Sequence, residues 1–129
     1  MAAQTIVEGR GATRALLTAH PDLTAIYCTT DTLAIGALRE CHLLGVRVPE
    51  DVSVAGFSDL EIVSQLDPPL STAHIPTEQI GTCIADFLID RINGRIGPEK
   101  IELEANVIIR QSTGPVRAAP RSARPRRAV

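Results

Sequence analysis

Ser58 closes the stretch Gly56-Phe57-Ser58-Asp59, and a serine on a tight turn after a strand is where a hydrolase nucleophile could stand. Asp67 and His74 follow in the chain order Ser, Asp, His. The second glycine of a nucleophile elbow is missing, because Leu60 occupies its place. The acid and the base also follow too closely to sit behind separate later strands. His20, His42 and His74 have no metal-ligand spacing among themselves or with Cys28, Cys41 and Cys83. Gly9-Arg10-Gly11 follows no strand, and Arg14 stands where a third glycine of a dinucleotide fingerprint belongs. Hydrolysis is thus the lesser reading; no enzyme activity, metal or cofactor is expected. What remains is binding chemistry. Thr29-Thr30-Asp31, Ser58-Asp59 and His74-Ile75 each mark a switch from apolar to polar residues.

Those three places are strand ends. Ala25 to Cys28 is a short apolar run, read as a buried strand. Thr29-Thr30-Asp31 then offers side-chain oxygens to the first amides of a helix that runs to about Leu44, with Gly45 fitting its carboxyl cap. Leu33, Ala34, Ala37, Leu38, Cys41 and Leu44 share its broad apolar face, with Ile35 and His42 off it. Upstream, Glu8 to His20 has helical spacing, with Ala12, Ala15, Leu16 and Ala19 able to share a face. Val52 to Phe57 reads as a second strand, Leu60 to Leu66 as a short helical turn, and Leu70 to Ile75 as a third strand. Pro76-Thr77 opens a helix carrying Ile80, Ile84, Phe87, Leu88 and Ile92 at a 3.6-residue period. Ile101 to Ile109 reads as one or two strands. Alternating strands and helices predict an α/β fold with a mostly parallel sheet flanked by helices. In such sheets ligands bind beyond the carboxyl ends of the strands, so topology alone selects the three polar places.

Composition bounds the answer further. The 129 residues suit one domain, and with 2% aromatics and no Trp its core must be aliphatic. Residues 117 to 129 hold five of the 13 basic residues and no acid. The body then keeps eight basic residues against 15 acidic ones, a charge of −7 that does not suit a nucleic-acid surface. This Arg-, Ala- and Pro-rich tail is expected to be disordered. It has no aromatic residue for base stacking, so a solvated tail is the better reading than a nucleic-acid contact. No apolar run reaches the length of a membrane span, and Met1 to Thr5 has no secretory pattern. Three cysteines without a Cys-x-x-Cys pair fit reduced thiols in a cytoplasm.

Several stretches carry a family resemblance when taken in order. They are Thr24 to Asp31, then Leu33 to Leu38, the long Gly45-Val-Arg-Val-Pro-Glu-Asp-Val-Ser-Val-Ala-Gly-Phe-Ser-Asp59, Asp67 to Thr72, Leu88 to Gly94, and Ile109 to Thr113. From about Val7 to Pro115 this resembles the carboxyl-terminal portion of LacI/GalR-family transcriptional repressors. The resemblance implies one incomplete lobe of a type I periplasmic-binding-protein-like fold, over residues 1 to 116. It also implies an effector, a sugar or sugar acid, held between two lobes. By the same resemblance, Thr77 to Asn93 would belong to the other lobe, leaving an apolar stripe uncovered. The DNA-reading helix-turn-helix would lie outside this chain, so no operator binding is expected of it alone.

The resemblance assigns effector contacts to Thr30 and Ser58. Asp31 and Asp59 match the family and are open to a purely structural capping role. His74 is added from its place at a strand end facing the expected cleft. Thr30, Ser58 and Ile75 depart from the amide and carboxylate pattern of sugar binders, and Ser58 in place of an acid removes a negative charge, which fits an anionic effector. The implied homodimer would pair through Ile35 and Leu66, with a core position for both as the alternative. A fragment of a periplasmic sugar-binding protein is the first rival reading, and a pure dimerisation module another.

Overall fold

The computed structural model describes residues 4–96 and 100–116. The expected tail, 117 to 129, lies outside these. Helix α1 (Ile6–Ala19) leads to strand β1 (Ala25–Tyr27), helix α2 (Asp31–Leu43) and strand β2 (Ser53–Ala55). A 3-10 turn (Glu61–Gln65), strand β3 (Thr72–His74), helix α3 (Thr77–Ile92) and strand β4 (Asn106–Ile108) follow.

The strands form one continuous surface. β1 and β2 are parallel, with Ile26 opposite Val54. Beyond β2 the chain stays beside β3 through parallel bridges Ala55–Ser71 and Ser58–His74. β4 returns antiparallel to β3, with Thr72 opposite Ile108 and His74 opposite Asn106. Ile101 to Ala105, expected as strand, is irregular, because the three residues of β3 offer a partner only to 106–108. Period-two alternation points Ile26, Cys28, Val52 and Val54 to one face, where they join Leu17, Ala34, Ala37, Leu38, Cys41, Val46, Val63 and Leu70 in the core. The opposite face is open, and Tyr27 on β1 is 64% exposed.

Local chemistry accounts for the helices. The Thr5 hydroxyl accepts from the Glu8 amide at 3.2 Å and starts α1. Gly45, at φ +66°, ends α2 as the left-handed cap, and the Val46 amide reaches back to the Cys41 carbonyl at 2.9 Å. The buried face of α1 is Gly9, Thr13 and Leu17, and not the expected Ala12, Ala15, Leu16 and Ala19; Leu16 is 41% exposed. Close approach decides this, more than hydrophobicity does. A Cβ on Gly9 would lie 2.3 Å from the Leu33 carbonyl oxygen, and one on Gly36 would lie 2.3 Å from that of Ile6. Only glycine permits this spacing, so the glycines choose the face.

Glu40 fastens the same contact. Its carboxylate meets the Arg10 guanidinium at 3.1 Å and that of Arg14 at 2.5 Å. It is 1% exposed because the two arginine side chains lie over it. Burial alone would raise the Glu40 carboxyl, but Arg10 and Arg14 outweigh it and hold the group below the usual carboxylate range.

Helix α3 stands apart, with no buried residue. Ile84 and Leu88 are exposed, Ile80 and Phe87 partly so, and the Arg91 guanidinium lies 5.1 Å above the Phe87 ring.

Candidate functional site

The loops after β1 and β2 and the first residue of β3 meet around Asp31, the first residue of α2. Its carboxylate has no exposed surface. Oδ1 accepts from the Thr72 hydroxyl at 2.7 Å, and Oδ2 accepts from the Leu60 amide at 2.8 Å and the Ser58 hydroxyl at 3.4 Å. Its own amide donates to the Phe57 carbonyl at 3.0 Å. Gly56 leaves it room, since a Cβ there would lie 2.3 Å from Oδ1. Asp31 therefore ties the start of α2 to the loop after β2 and to the first residue of β3, and its three donors fill most of its acceptor capacity.

Thr30 precedes it in extended backbone and caps α2, its hydroxyl accepting from the Leu33 amide at 3.4 Å. This threonine is half-buried at the rim. Ser58 and Asp59 follow at φ +124° and +59°, conformations that non-glycine residues adopt at a cost of about 1–3 kcal/mol each and that gather at functional sites. Ser58 donates its amide to the Ala73 carbonyl at 2.9 Å, which holds the turn beside β3.

Asp59 is held by two cation-forming side chains. Its Oδ1 accepts from the Arg110 guanidinium at 2.8 Å, and its Oδ2 lies 3.2 Å from Nδ1 of His74. Burial raises this carboxyl, but Arg110 and then His74 overcome that and hold it below the usual range. His74 is exposed, with its Nδ1 turned to Asp59.

Of the five residues named from the sequence as effector contacts, Asp31 is fully buried, and Thr30, Ser58, Asp59 and His74 lie around it. Thr30, Ser58 and Asp59 are half-buried and bonded to protein partners, and His74 is exposed beside Asp59. Sequence reasoning gave Arg110 no role. Its signal was a lone cation ending the apolar run Val107-Ile108-Ile109. Also unread was the hydroxyl set that seats the return segment. Ser112 donates to the Val54 carbonyl at 2.6 Å and accepts from the Ser71 amide at 2.7 Å, and the Ser71 and Thr113 hydroxyls meet at 2.7 Å. Among the described residues no cluster of His, Cys, Asp and Glu could hold a metal ion.

Among the described residues, cavities also lie away from these residues. One, of about 340 Å³, is walled by Leu38, His42, Val46, Val48, Glu50 and Pro68. Another, of about 250 Å³, is lined by Ile35, Leu38, Arg39, His42, Leu66 and Asp67. Ile35 and Leu66 are half-buried: each packs on the core by one side and faces this groove by the other.

Residues 1–113 match the periplasmic binding protein-like domain. The HTH-type transcriptional regulator CelR of Thermobifida fusca is 37% identical over 109 residues, 84% of this chain and 32% of that protein. The chain belongs to the periplasmic binding protein-like domain family, in its LacI-type branch. The CelR–cellobiose complex superposes with a TM-score of 0.79 at 37% identity, over 84% of this chain and 33% of that one. The lac repressor dimer bound to operator and the anti-inducer ONPF superposes at 0.80 and 28% identity, over 84% and 38%. This LacI-type chain spans about a third of the length of these relatives. The α/β fold with its incomplete lobe agrees with that placement.

Proposed function

We propose that residues 1 to 116 are the effector-binding and dimerisation part of a cytoplasmic LacI-type transcriptional repressor, and not an enzyme. The observation that carries this reading is the rim itself. Asp31, just beyond β1, holds the loop after β2 and the first residue of β3, and half-buried Thr30 and Ser58 and exposed His74 lie around that junction. Ligands of open parallel sheets bind there. The effector is a sugar or sugar acid, closed in by a facing wall outside this chain, and DNA is read by a helix-turn-helix also outside it.

Charge favours the neutral sugar within that class. Arg110 is already paired with Asp59, and the Asp31 carboxylate accepts from Ser58, so among the described residues an anion beside Ser58 meets a buried carboxylate and an arginine whose charge is already matched. The loss of an acid at position 58 is therefore not a gain for an anionic ligand. The cellobiose found with CelR belongs to the neutral class.

The groove of Ile35, Arg39, Leu66 and Asp67 is the dimer surface in this reading. Its basic and acidic side chains lie together, which suits two identical copies related by a two-fold axis. No helix of the described residues is long and apolar enough to cross a membrane.

Thermal unfolding of the chain with cellobiose, ribose and gluconate tests the proposal, because a ligand of the folded state raises the melting temperature. A rise with a neutral sugar, larger than with gluconate and lost in Ser58→Tyr, is expected. A melting temperature unmoved by any of them at millimolar concentration counts against an effector site on this chain.

A further inference from the structure

Asp59 touches both stretches of chain that lead to and from α3. His74 ends β3, the outgoing strand, and Arg110 lies two residues beyond β4, the returning one. One carboxylate oxygen serves each: Oδ1 takes Arg110 at 2.8 Å, and Oδ2 lies 3.2 Å from His74. Arg110 also donates to the Leu70 carbonyl at 2.8 Å, so its guanidinium bridges the start of β3 to the loop after β2. Two strands already paired through His74 and Asn106 would need no further tie if Asp59 only capped its own turn. Instead the backbone is bent to φ +59° at Asp59, beside Ser58 at φ +124°, and the turn delivers the carboxylate between them.

We propose that Asp59 is a clasp, a positioning residue that makes the Ser58 loop and the two crossing strands one mechanical unit. Displacement of β3 and β4, and of whatever follows them, then moves Ser58, and a ligand on Ser58 biases the crossing strands in return. The charged groups around Asp59 are Arg110 from the return segment, His74 from β3, and Asp31, which holds the neighbouring Ser58 and Leu60 from the start of α2. What the clasp transmits rests on the effector reading above; the clasp itself is tested without any ligand.

The experiment follows amide hydrogen exchange by NMR across acidic pH in the 129-residue chain, alongside the Asp59 carboxyl carbon signal. Protection of the Ser58 and Arg110 amides and of 106–108 is expected to fall about tenfold in step with that signal, the scale of one charge-assisted hydrogen bond. The step should be distinct from any change that follows Glu40. Asp59→Asn should show the lowered protection at every pH, without the step, while Ile26 and Val54 keep theirs. Arg110→Lys, which keeps the charge and loses the fork, should lie between. Titration of Asp59 with no step at 106–108 would overturn the proposal, as would wild-type protection there in Asp59→Asn. Should Asp59→Asn fail to fold, the unmodified chain decides by its pH profile alone. Sugar binding can fail without touching this result, so the two readings stand or fall separately.

Discussion

Replacing Gly36 by alanine puts a methyl group into the tightest contact between α1 and α2. The new carbon would lie 2.3 Å from the Ile6 carbonyl oxygen, 2.9 Å from the Arg10 nitrogen and 3.0 Å from the Gly9 Cα. All three are backbone atoms, so no side chain can swing aside. Ordinary contact begins near 3.4 Å, so α1 must retreat by about 1.1 Å. That retreat also draws Arg10 and Arg14 away from Glu40. Overpacking of this kind costs about 1–3 kcal/mol, and the backbone contacts place it at the upper end. Alanine returns about 1 kcal/mol of helix propensity, leaving a net loss of roughly 2 kcal/mol. Gly11, on the same helix α1, meets nothing within 4 Å, so Gly11→Ala gains the propensity alone. Thermal unfolding followed by circular dichroism reads the difference. Gly36→Ala should melt about 10 °C below the unmodified chain and Gly11→Ala a few degrees above it, at roughly 4–8 °C per kcal/mol. If Gly36→Ala melted as high as Gly11→Ala, the helix contact described above would be wrong.

Other outcomes follow from the same contacts. Asp31→Ala strands the Leu60 amide and the Thr72 hydroxyl, each at about 1–3 kcal/mol, and should lower the urea midpoint and abolish any sugar-induced stabilisation. Glu40 and Asp59 both titrate below their ordinary values of 4.5 and 3.8 when folded, so the unfolded chain takes up their protons first. Stability is therefore full above about pH 5 and falls as pH drops through the folded values; urea midpoints from pH 7 to 3 should show this, with a shallower fall in Glu40→Gln. Burial pushes the Cys28 thiol up to about 11, so at pH 8 a thiol reagent should modify the half-buried Cys83 well before Cys28. Arg39→Glu puts a second acid into the groove with Asp67 and should weaken self-association about tenfold in sedimentation equilibrium. A chain that is monomeric at every concentration would remove the dimer reading.

The three strand ends were legible because topology and polarity coincide there. Apolar runs stop at Thr29, Ser58 and His74, and the parallel sheet turns those stops into one rim. Local signals such as Gly45 and the capping Thr30 were legible for the same reason: their chemistry acts within a few residues. The buried face of α1 was not legible. It depends on Gly9 meeting Gly36, a contact between residues far apart in sequence that hydrophobic spacing does not encode. Asp31 carries a cap-like position, yet its three donors come from positions 58, 60 and 72. Arg110 and Ser112 also act on residues far away in sequence, so a lone cation after an apolar run says that Arg110 is unusual there but not what it binds. The second half of the expected strand Ile101–Ile109 formed and the first did not, since pairing needs a partner as well as β propensity.

The effector reading is tested most directly by amide NMR spectra during titration with cellobiose, ribose and gluconate. A saturable shift at Thr30, Ser58, Asp59 and His74 with a neutral sugar, leaving Val46 and Val48 unmoved, is the predicted result. Shifts confined to Val46, Val48 and Glu50 would move the ligand to the cavity at the far end of α2, and no saturable shift with any compound would contradict the account.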